Sequence, residues 1–410
     1  DPLHPVAEPC LGEDEVEVCR CLHSLLDGVR LVPDALGEVR KNARDLCLLG
    51  RLGFAEAVAQ LHDFFRLDED GLLVRGAPVR GKVGQPSVPI GLNPDGAFAI
   101  GIKVGRRSAD WLLVDFTGHV RQRRVLDYAF PDSQVLLPAI RSHLDDLLGG
   151  LGPLRGRVVG VGVAAPFQLG GWHRMLGLTE TQSEAWNHMD LAAEVQGMTD
   201  LPVSFAKDTT AACVAELLQG RGRDLRSYLY LFLDTFVGGG LVLNSHLHRG
   251  LHGNAGAVAS LPLRTASHND PDKPPQLLSL ASLWDLEQRF REHRLEPMAA
   301  YDERALQLPW QPHTQAWISQ AALALAQCIV SGTAFLDVEA VGMDRAVSPA
   351  LLPGPPTQTA PAVRSYKWEC LFPPPRLELG SIGSDARAQG GALLPLYACF
   401  APDQDLFLKV

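Results

Sequence analysis

The stretch FVGGGLVLNSHLHRGLHGNAGAVAS, residues 236–260, poses the question on which the reading of the chain turns. Gly238, Gly239 and Gly240 stand where an apolar strand begins, and Gly250, Gly253 and Gly256 cluster after it ends. A glycine run at a strand start has two physical uses. It can let backbone N–H groups converge on an anion, or it can let the strand lie so close to another element that no Cβ fits. By itself the triplet favours the second use, so the choice rests on what surrounds it.

Outward from that stretch, strand and helix patterns alternate. LYLFLDT (229–235) and GGGLVLN (238–244) read as strands, followed by a third after Asn244. QLLSLASLWDLEQRF and TQAWISQAALALAQCIV read as helices, and DVEAVGM as another strand. A similar order precedes it. AFAIGIKV, DWLLVDF and VRQRRVL are strand runs, the last two joined by Thr117-Gly118, a tight antiparallel turn signal. SQVLLPAIRSHLDDLL, RVVGVGVAA, MDLAAEVQGM and LPVSFA then alternate helix and strand. Two successive βββαβα units point to duplicated lobes facing each other across a cleft. SDARAQGGALLPLYACF reads as a final helix packing back onto the first lobe, and the proline-rich LLPGPPTQTAPA as a surface loop.

The 410 residues exceed one ordinary core and imply two or three domains. Hydrophobic residues make up 46% and charged residues 20%, the balance of a soluble globular chain. The longest apolar run, AALALAQCIVSGTAFL from Ala321, is interrupted by polar residues and reads as a buried helix rather than a membrane span. No export signal is legible, and the eight scattered cysteines read as reduced thiols in a cytoplasm. Cys19 and Cys21 have no second pair to complete a zinc site, so no metal is expected. Net charge is −10, from 37 Lys and Arg against 47 Asp and Glu, which lowers the expectation of nucleic-acid binding without removing it.

The first eighty residues differ from the rest. EVEVCRCLHSLL, ALGEVRKNARDLCLL and FAEAVAQLHDFF each place apolar residues three or four apart, as helices do. GLLVRGAPVRGKVGQPSVPIGLN then supplies two extended stretches around a basic turn, a β-hairpin pattern. Three helices plus a hairpin outline a winged helix-turn-helix, with a small helical cap as the plainer alternative. The basic side chains that would meet DNA are Arg40, Lys41, Arg44, Arg51, Arg75, Arg80 and Lys82, with Gln60 on the helix for the major groove. Against this, residues 1–80 hold nine Lys or Arg and fifteen Asp or Glu, a net of −6, and phosphate neutralisation supplies most nonspecific affinity.

The segments LNPDGAFAIGIKVG, GVAAP (162–166), KDTTAACVAEL, VGGGLVLN, RGLHGNAGAVAS and GSIGSDARAQGGALLPL resemble, in this order, the ROK family of repressors, open reading frames and kinases. More narrowly, they resemble its transcriptional regulators, over roughly residues 81–410. The resemblance implies an α/β fold: a duplicated ribonuclease-H-like, actin-like ATPase body of two lobes behind an N-terminal winged helix-turn-helix domain. On that reading the DNA-binding domain is 1–92, the small lobe 93–206 completed by 380–410, and the large lobe 207–379. It further implies a homodimer or homotetramer that senses a small carbohydrate or sugar phosphate.

A sugar kinase needs donors around the ATP phosphates, a carboxylate base and polar groups that fix the sugar. Where the family's first phosphate loop reads Asp-x-Gly-Gly-Thr, this chain has Lys103-Val104-Gly105-Arg106-Arg107-Ser108, with a cation at the metal-side carboxylate. The second loop keeps Thr235 and Gly238, Gly239 and Gly240, but Asp234 and Phe236 oppose a polyphosphate. The family's later Gly-Gly near adenosine maps to Asp344-Arg345. Asp208 matches the catalytic aspartate, a vestigial base candidate, with Lys207 where the family has Asn; helix N-capping is its plainer role. The sugar-binding Gly-Glu-x-Gly-His maps to Gly256-Ala257-Val258-Ala259-Ser260, without the Glu and His. His246, His248 and His252 read as a polar rim.

The glycines are therefore read as preserving a fold. The expectation is a cytoplasmic ROK-type regulator without enzymatic activity or cofactor. Its partners would be operator DNA and an effector held near Lys207, Asp208, Asn254 and Ser260. Two alternatives stand beside it: a sugar kinase with altered phosphate loops, and a pseudokinase whose N-terminal domain binds a protein.

Overall fold

The structure is a computed structural model that describes residues 69–78, 88–167, 184–186, 188–264, 274–345, 354–368 and 373–400. The chain divides into two compact units, Asp1–Leu92 and Asn93–Val410. In the first, β1 (Leu73–Arg75) pairs antiparallel with β2 (Ile90–Leu92). This is the base of the expected hairpin, with Arg75 on β1. The three expected N-terminal helices lie outside the described residues, as do Arg40, Lys41, Arg44, Arg51, Gln60, Arg80 and Lys82.

The second unit is built on two sheets of the same plan. In the first, β3 (Phe98–Val104), β4 (Ser108–Asp115) and β5 (Val120–Asp127) form an antiparallel meander. Helix α1 (Ser133–Gly150), β6 (Val158–Ala165), α2 (Leu191–Gln196) and β7 (Val203–Lys207) then add parallel strands on the other side of β3. The strand order is β5-β4-β3-β6-β7.

Helix α3 (Asp208–Gln219) leads to the second meander: β8 (Tyr228–Leu233), β9 (Gly238–Leu243) and β10 (His246–Leu247). Helices α4 (Leu278–Ala281), α5 (Leu283–Glu292) and α6 (Gln311–Leu336) follow, then β11 (Ala340–Arg345), α7 (Gly354–Arg364), β12 (Arg376–Leu379) and α8 (Ala386–Phe400). The order β10-β9-β8-β11-β12 repeats that of the first sheet. Every residue of the central strands β3 and β8 is buried, as expected of strands covered on both faces.

Each sheet has its own core. Ile100, Ile102, Trp111 and Leu113 pack with Leu136, Ile140 and Leu144 of α1. Leu229, Leu231, Val341 and Met343 pack with Phe290 of α5 and Trp317, Leu325 and Ile329 of α6. By length and composition α6 is apolar enough to cross a membrane, but this stripe spends its apolar surface on the second sheet. Edge strand β5 is mostly exposed and carries Arg121, Arg123 and Arg124, a charge pattern that discourages edge-to-edge pairing.

Two expectations fail. LLPGPPTQTAPA is not a surface loop, because its residues from Gly354 onward form α7, which packs on α6 with Thr359 and Val363 buried. Pro355 and Pro356 fall in the first turn, where no intrahelical acceptor waits for their missing N–H. QLLSLASLWDLEQRF is two helices, broken at buried Ser282, whose backbone is extended (φ −87°, ψ 151°).

The last helix holds the body together through close backbone approach. A Cβ on Gly101 of β3 would stand 2.2 Å from the carbonyl oxygen of Ala388, and one on Gly162 of β6 would stand 1.8 Å from that of Gly391. On the helix itself, a Cβ on Gly390 would stand 1.7 Å from the carbonyl oxygen of Ala211 in α3. All three would have to move backbone, which is the expensive kind of overpacking. Gly162→Ala and Gly390→Ala should each lower unfolding stability by about 2 kcal/mol or more, read by chemical denaturation. Gly149→Ala, at a site with open space around it, should change it little.

Candidate functional site

The glycine triplet that opened the question is explained by packing. A Cβ on Gly238 would lie 2.4 Å from Thr209 Cγ2, one on Gly239 2.6 Å from the Tyr230 carbonyl oxygen, and one on Gly240 2.6 Å from Cys213 Cβ. Strand β9 thus lies directly against α3. Gly256, at φ +73°, comes equally close to Gly240 from the other side. Asp208 is the first residue of α3 rather than its cap. Lys207 occupies the capping position with no side-chain cap, and an Asp208 oxygen takes the neighbouring Thr209 N–H at 2.8 Å.

The turn between β3 and β4 is closed by the Gly105 N–H donating to the Ser108 carbonyl oxygen (2.9 Å). At its base Lys103, 6% exposed, donates to Asp110 (2.8 Å) and Ser108 (2.7 Å). Asp110 also receives Arg123 at 3.1 Å, and Arg123 reaches Asp385 at 2.7 Å. Burial and then the repulsion of Arg387 hold the Lys103 ammonium below its usual range, while Asp110 works the other way. Burial would raise Asp110, but Lys103 and Arg123 outweigh it and leave its carboxyl low.

Arg106 lays its guanidinium over the Phe236 ring, 3.8 Å from the centroid. Arg107 crosses to the other lobe and donates to Glu287 at 2.6 Å. Glu287 also accepts from Arg291 (2.9 Å) and from the Tyr301 hydroxyl (2.6 Å), which lies 3.0 Å from Thr235 Oγ1.

The loop from Asp234 to Val237 is held on every side. Arg387 of α8 meets Asp234 at 2.5 Å and lies 3.9 Å from Asp208. Burial pushes Asp234 up, but Arg387 and Lys103 outweigh it, so its carboxyl stays ionised below the ordinary range. The first two N–H groups of α5, from Leu283 and Trp284, donate to the Asp234 and Thr235 carbonyl oxygens at 3.1 and 3.0 Å. The Val237 N–H donates to Oγ of Ser282, the residue between α4 and α5, at 3.0 Å. Near the end of β11, buried Asp344 accepts from the Tyr230 hydroxyl (3.2 Å) and the Gly383 N–H (3.1 Å).

Two adjoining cavities result. One, of about 390 Å³, lies among Lys103, Arg107, Asp234 and Arg387. The other, of about 480 Å³, gathers Lys207, Asp208, Asn254 and Ser260 with Phe167 and Phe236. Arg106, Asp208 and Phe236 line both. All four residues read from the sequence as effector ligands therefore face one space, and Lys207 donates to Asn254 Oδ1 at 3.3 Å. His252 lines it too, whereas His246 turns to the Asn244 carbonyl. Among the described residues no three His, Cys, Asp or Glu side chains gather as a metal site would need. Sequence reasoning missed Arg387, Glu287 and Tyr301. A lone arginine in the apolar helix ARAQGGALLPL was the available signal for the first.

Two α/β lobes of repeated strand order around a cleft define a sugar-kinase-like, actin-like α/β fold. The chain carries a ROK family domain, with the family model matching residues 99–272. The xylose repressor of Bacillus subtilis (strain 168) is 23% identical over 184 residues, 44% of this chain and 46% of the repressor. A solved ROK family transcriptional regulator, a homolog of E. coli MLC protein, has a TM-score of 0.62 at 18% identity, covering 87% of this chain and 92% of its own. A ROK family glucokinase from Streptomyces griseus, solved with glucose and AMPPNP, has a TM-score of 0.58 at 18% identity, covering 73% of this chain and 99% of its own. At such identity the two structures speak to the fold alone. The chain spans 46% to 65% of the length of the curated relatives that it matches over the longest stretches.

The Arg387–Asp234 pair yields a direct test. Removing one partner strands a buried charge, so Arg387→Met should cost about 3–5 kcal/mol of unfolding stability, and Arg387→Met with Asp234→Asn should recover a large part of it. Because the Asp234 and Asp110 carboxyls are held low, their stabilisation is present above the ordinary carboxylate pKa of about 4 and is lost as pH falls through their folded values. Denaturation midpoints across acidic pH, with a shallower loss in the double variant, check both points.

Proposed function

We propose that the chain is a ROK-type transcriptional regulator of the cytoplasm, assembled as a dimer or tetramer. It binds operator DNA through residues 1–92 and a small carbohydrate-like effector between the small lobe (93–206 with 380–410) and the large lobe (207–379). The observation that carries this reading is Lys103 paired with Asp110 at the base of the first loop. A magnesium-bound nucleotide needs a carboxylate on that side and open backbone donors on the other. Here a cation stands at the first position, Phe236 under Arg106 fills the second loop, and the N–H groups of α5 are taken by Asp234 and Thr235. These residues do not fit magnesium and a triphosphate, and no phosphoryl transfer is assigned to them. Asp208, without that apparatus, serves as a hydroxyl acceptor for a bound effector.

Regulation follows from the geometry of the cleft. Effector held by Lys207, Asp208, Asn254 and Ser260 of the large lobe and packed against Arg106 and Phe167 of the small lobe favours one lobe arrangement, and the difference in affinity between arrangements is what shifts the DNA-binding units. The kinship with a xylose repressor supports a DNA-bound partner.

Selection of genomic fragments on the full-length chain, followed by mobility shifts, checks the DNA half. An enriched site is expected, bound more weakly as salt rises. Arg75→Ala, Arg80→Ala and Lys82→Ala together should weaken all sequences alike and flatten the salt slope by about 0.9 for each phosphate that is no longer neutralised. Failure to enrich any fragment at about 50 mM salt would reject it.

A further inference from the structure

Cations outnumber carboxylates along the cavity beside Lys207. Its charged lining side chains are Arg106, Lys207 and Asp208, two cations against one carboxylate. Asp208 is shared, since Arg387 approaches it at 3.9 Å from the neighbouring cavity. Lys207 donates to the neutral amide oxygen of Asn254, and burial pulls its ammonium below the usual lysine range, with Asp208 opposing. A half-buried ammonium in this position is stabilised by any anion that enters. The rest of the lining suits a compact polyol: Asn254, Ser260 and His252 offer hydrogen bonds, while Phe167, Phe236 and Leu278 offer apolar faces.

The charge pattern also departs from what the family resemblance implies for a neutral sugar. Ala257 stands where a sugar-binding glutamate is expected, and Lys207 where an asparagine is expected, a change of two positive charges at one cavity. We infer that the effector is a monosaccharide-sized acid carrying a single negative charge, a sugar carboxylate whose charge sits toward Lys207 and Arg106 and whose hydroxyls face Asp208, Asn254 and Ser260. Asp208, facing the same space, disfavours a second negative charge, so the monoanion is preferred to a sugar phosphate. This inference rests on the effector-binding reading above.

Calorimetric titration of the full-length chain with D-gluconate, D-glucuronate, D-glucose, D-glucose 6-phosphate and acetate separates the possibilities. One of the two sugar acids should bind at least about tenfold more tightly than glucose and the phosphate, as a single charge-assisted hydrogen bond provides, and acetate should bind weakly. Lys207→Asn and, independently, Ala257→Glu should remove that advantage, with unliganded melting curves showing that both variants are folded. Glucose or its phosphate binding as tightly as either acid, or acid binding indifferent to both substitutions, overturns the charge assignment alone. No binding by any member of the panel overturns it together with the effector reading.

Discussion

The Arg387–Asp234 ion pair is the point at which the three parts of the body meet. Arg387 comes from the last helix, which lies against the first sheet, and Asp234 directly follows the central strand of the second. With Asp208 at the tip of α3 also within 3.9 Å, one guanidinium fixes the last helix, the second-lobe loop and the cleft floor relative to one another. It reaches that position only because Gly101, Gly162 and Gly390 let the helix backbone touch the first sheet and α3 directly. A buried ion pair of this kind contributes little net stability compared with an apolar replacement, but it tolerates no single loss. It specifies an arrangement more than it strengthens one.

The same arrangement decides what the cleft can receive. Lys103 is matched by Asp110, Arg387 by Asp234 and Arg107 by Glu287. An incoming polyphosphate would have to displace carboxylates already seated at hydrogen-bonding distance, and the released carboxylates would then repel it. In the neighbouring cavity Asp208 is the one lining carboxylate beside Arg106 and Lys207. There Lys207 faces an amide, so small polar ligands meet less competition. On the proposed reading, the cleft is kept and its ligand lies beside Lys207 rather than among the paired charges around Lys103 and Arg387.

The two-lobed plan was legible because its central strands, FAIGI and LYLFL, are apolar without alternation, and short turns containing Gly105 and Gly118 separate the strands of the first meander. Helix α7 was not legible, since its prolines signal a loop: Pro355 and Pro356 are tolerated only because they fall in the first turn, and Pro361 lies inside the helix. Nor was the break at Ser282, across which the apolar spacing continues; the partner of its hydroxyl is a distant backbone N–H, that of Val237, 45 residues away. Lys207, Asp208, Asn254 and Ser260 came from motif positions and lie around one cavity. The ion-pair partners did not, because Arg107 and Glu287 are 180 residues apart and no local pattern links them.

Calorimetric titration of the full-length chain with ATP and magnesium addresses the central claim most directly. A phosphate end already filled by its own ion pairs predicts no measurable heat at millimolar nucleotide and no sugar phosphate formed across a hexose panel. Stoichiometric nucleotide binding, accompanied by sugar phosphate that disappears in Asp208→Asn, would contradict it.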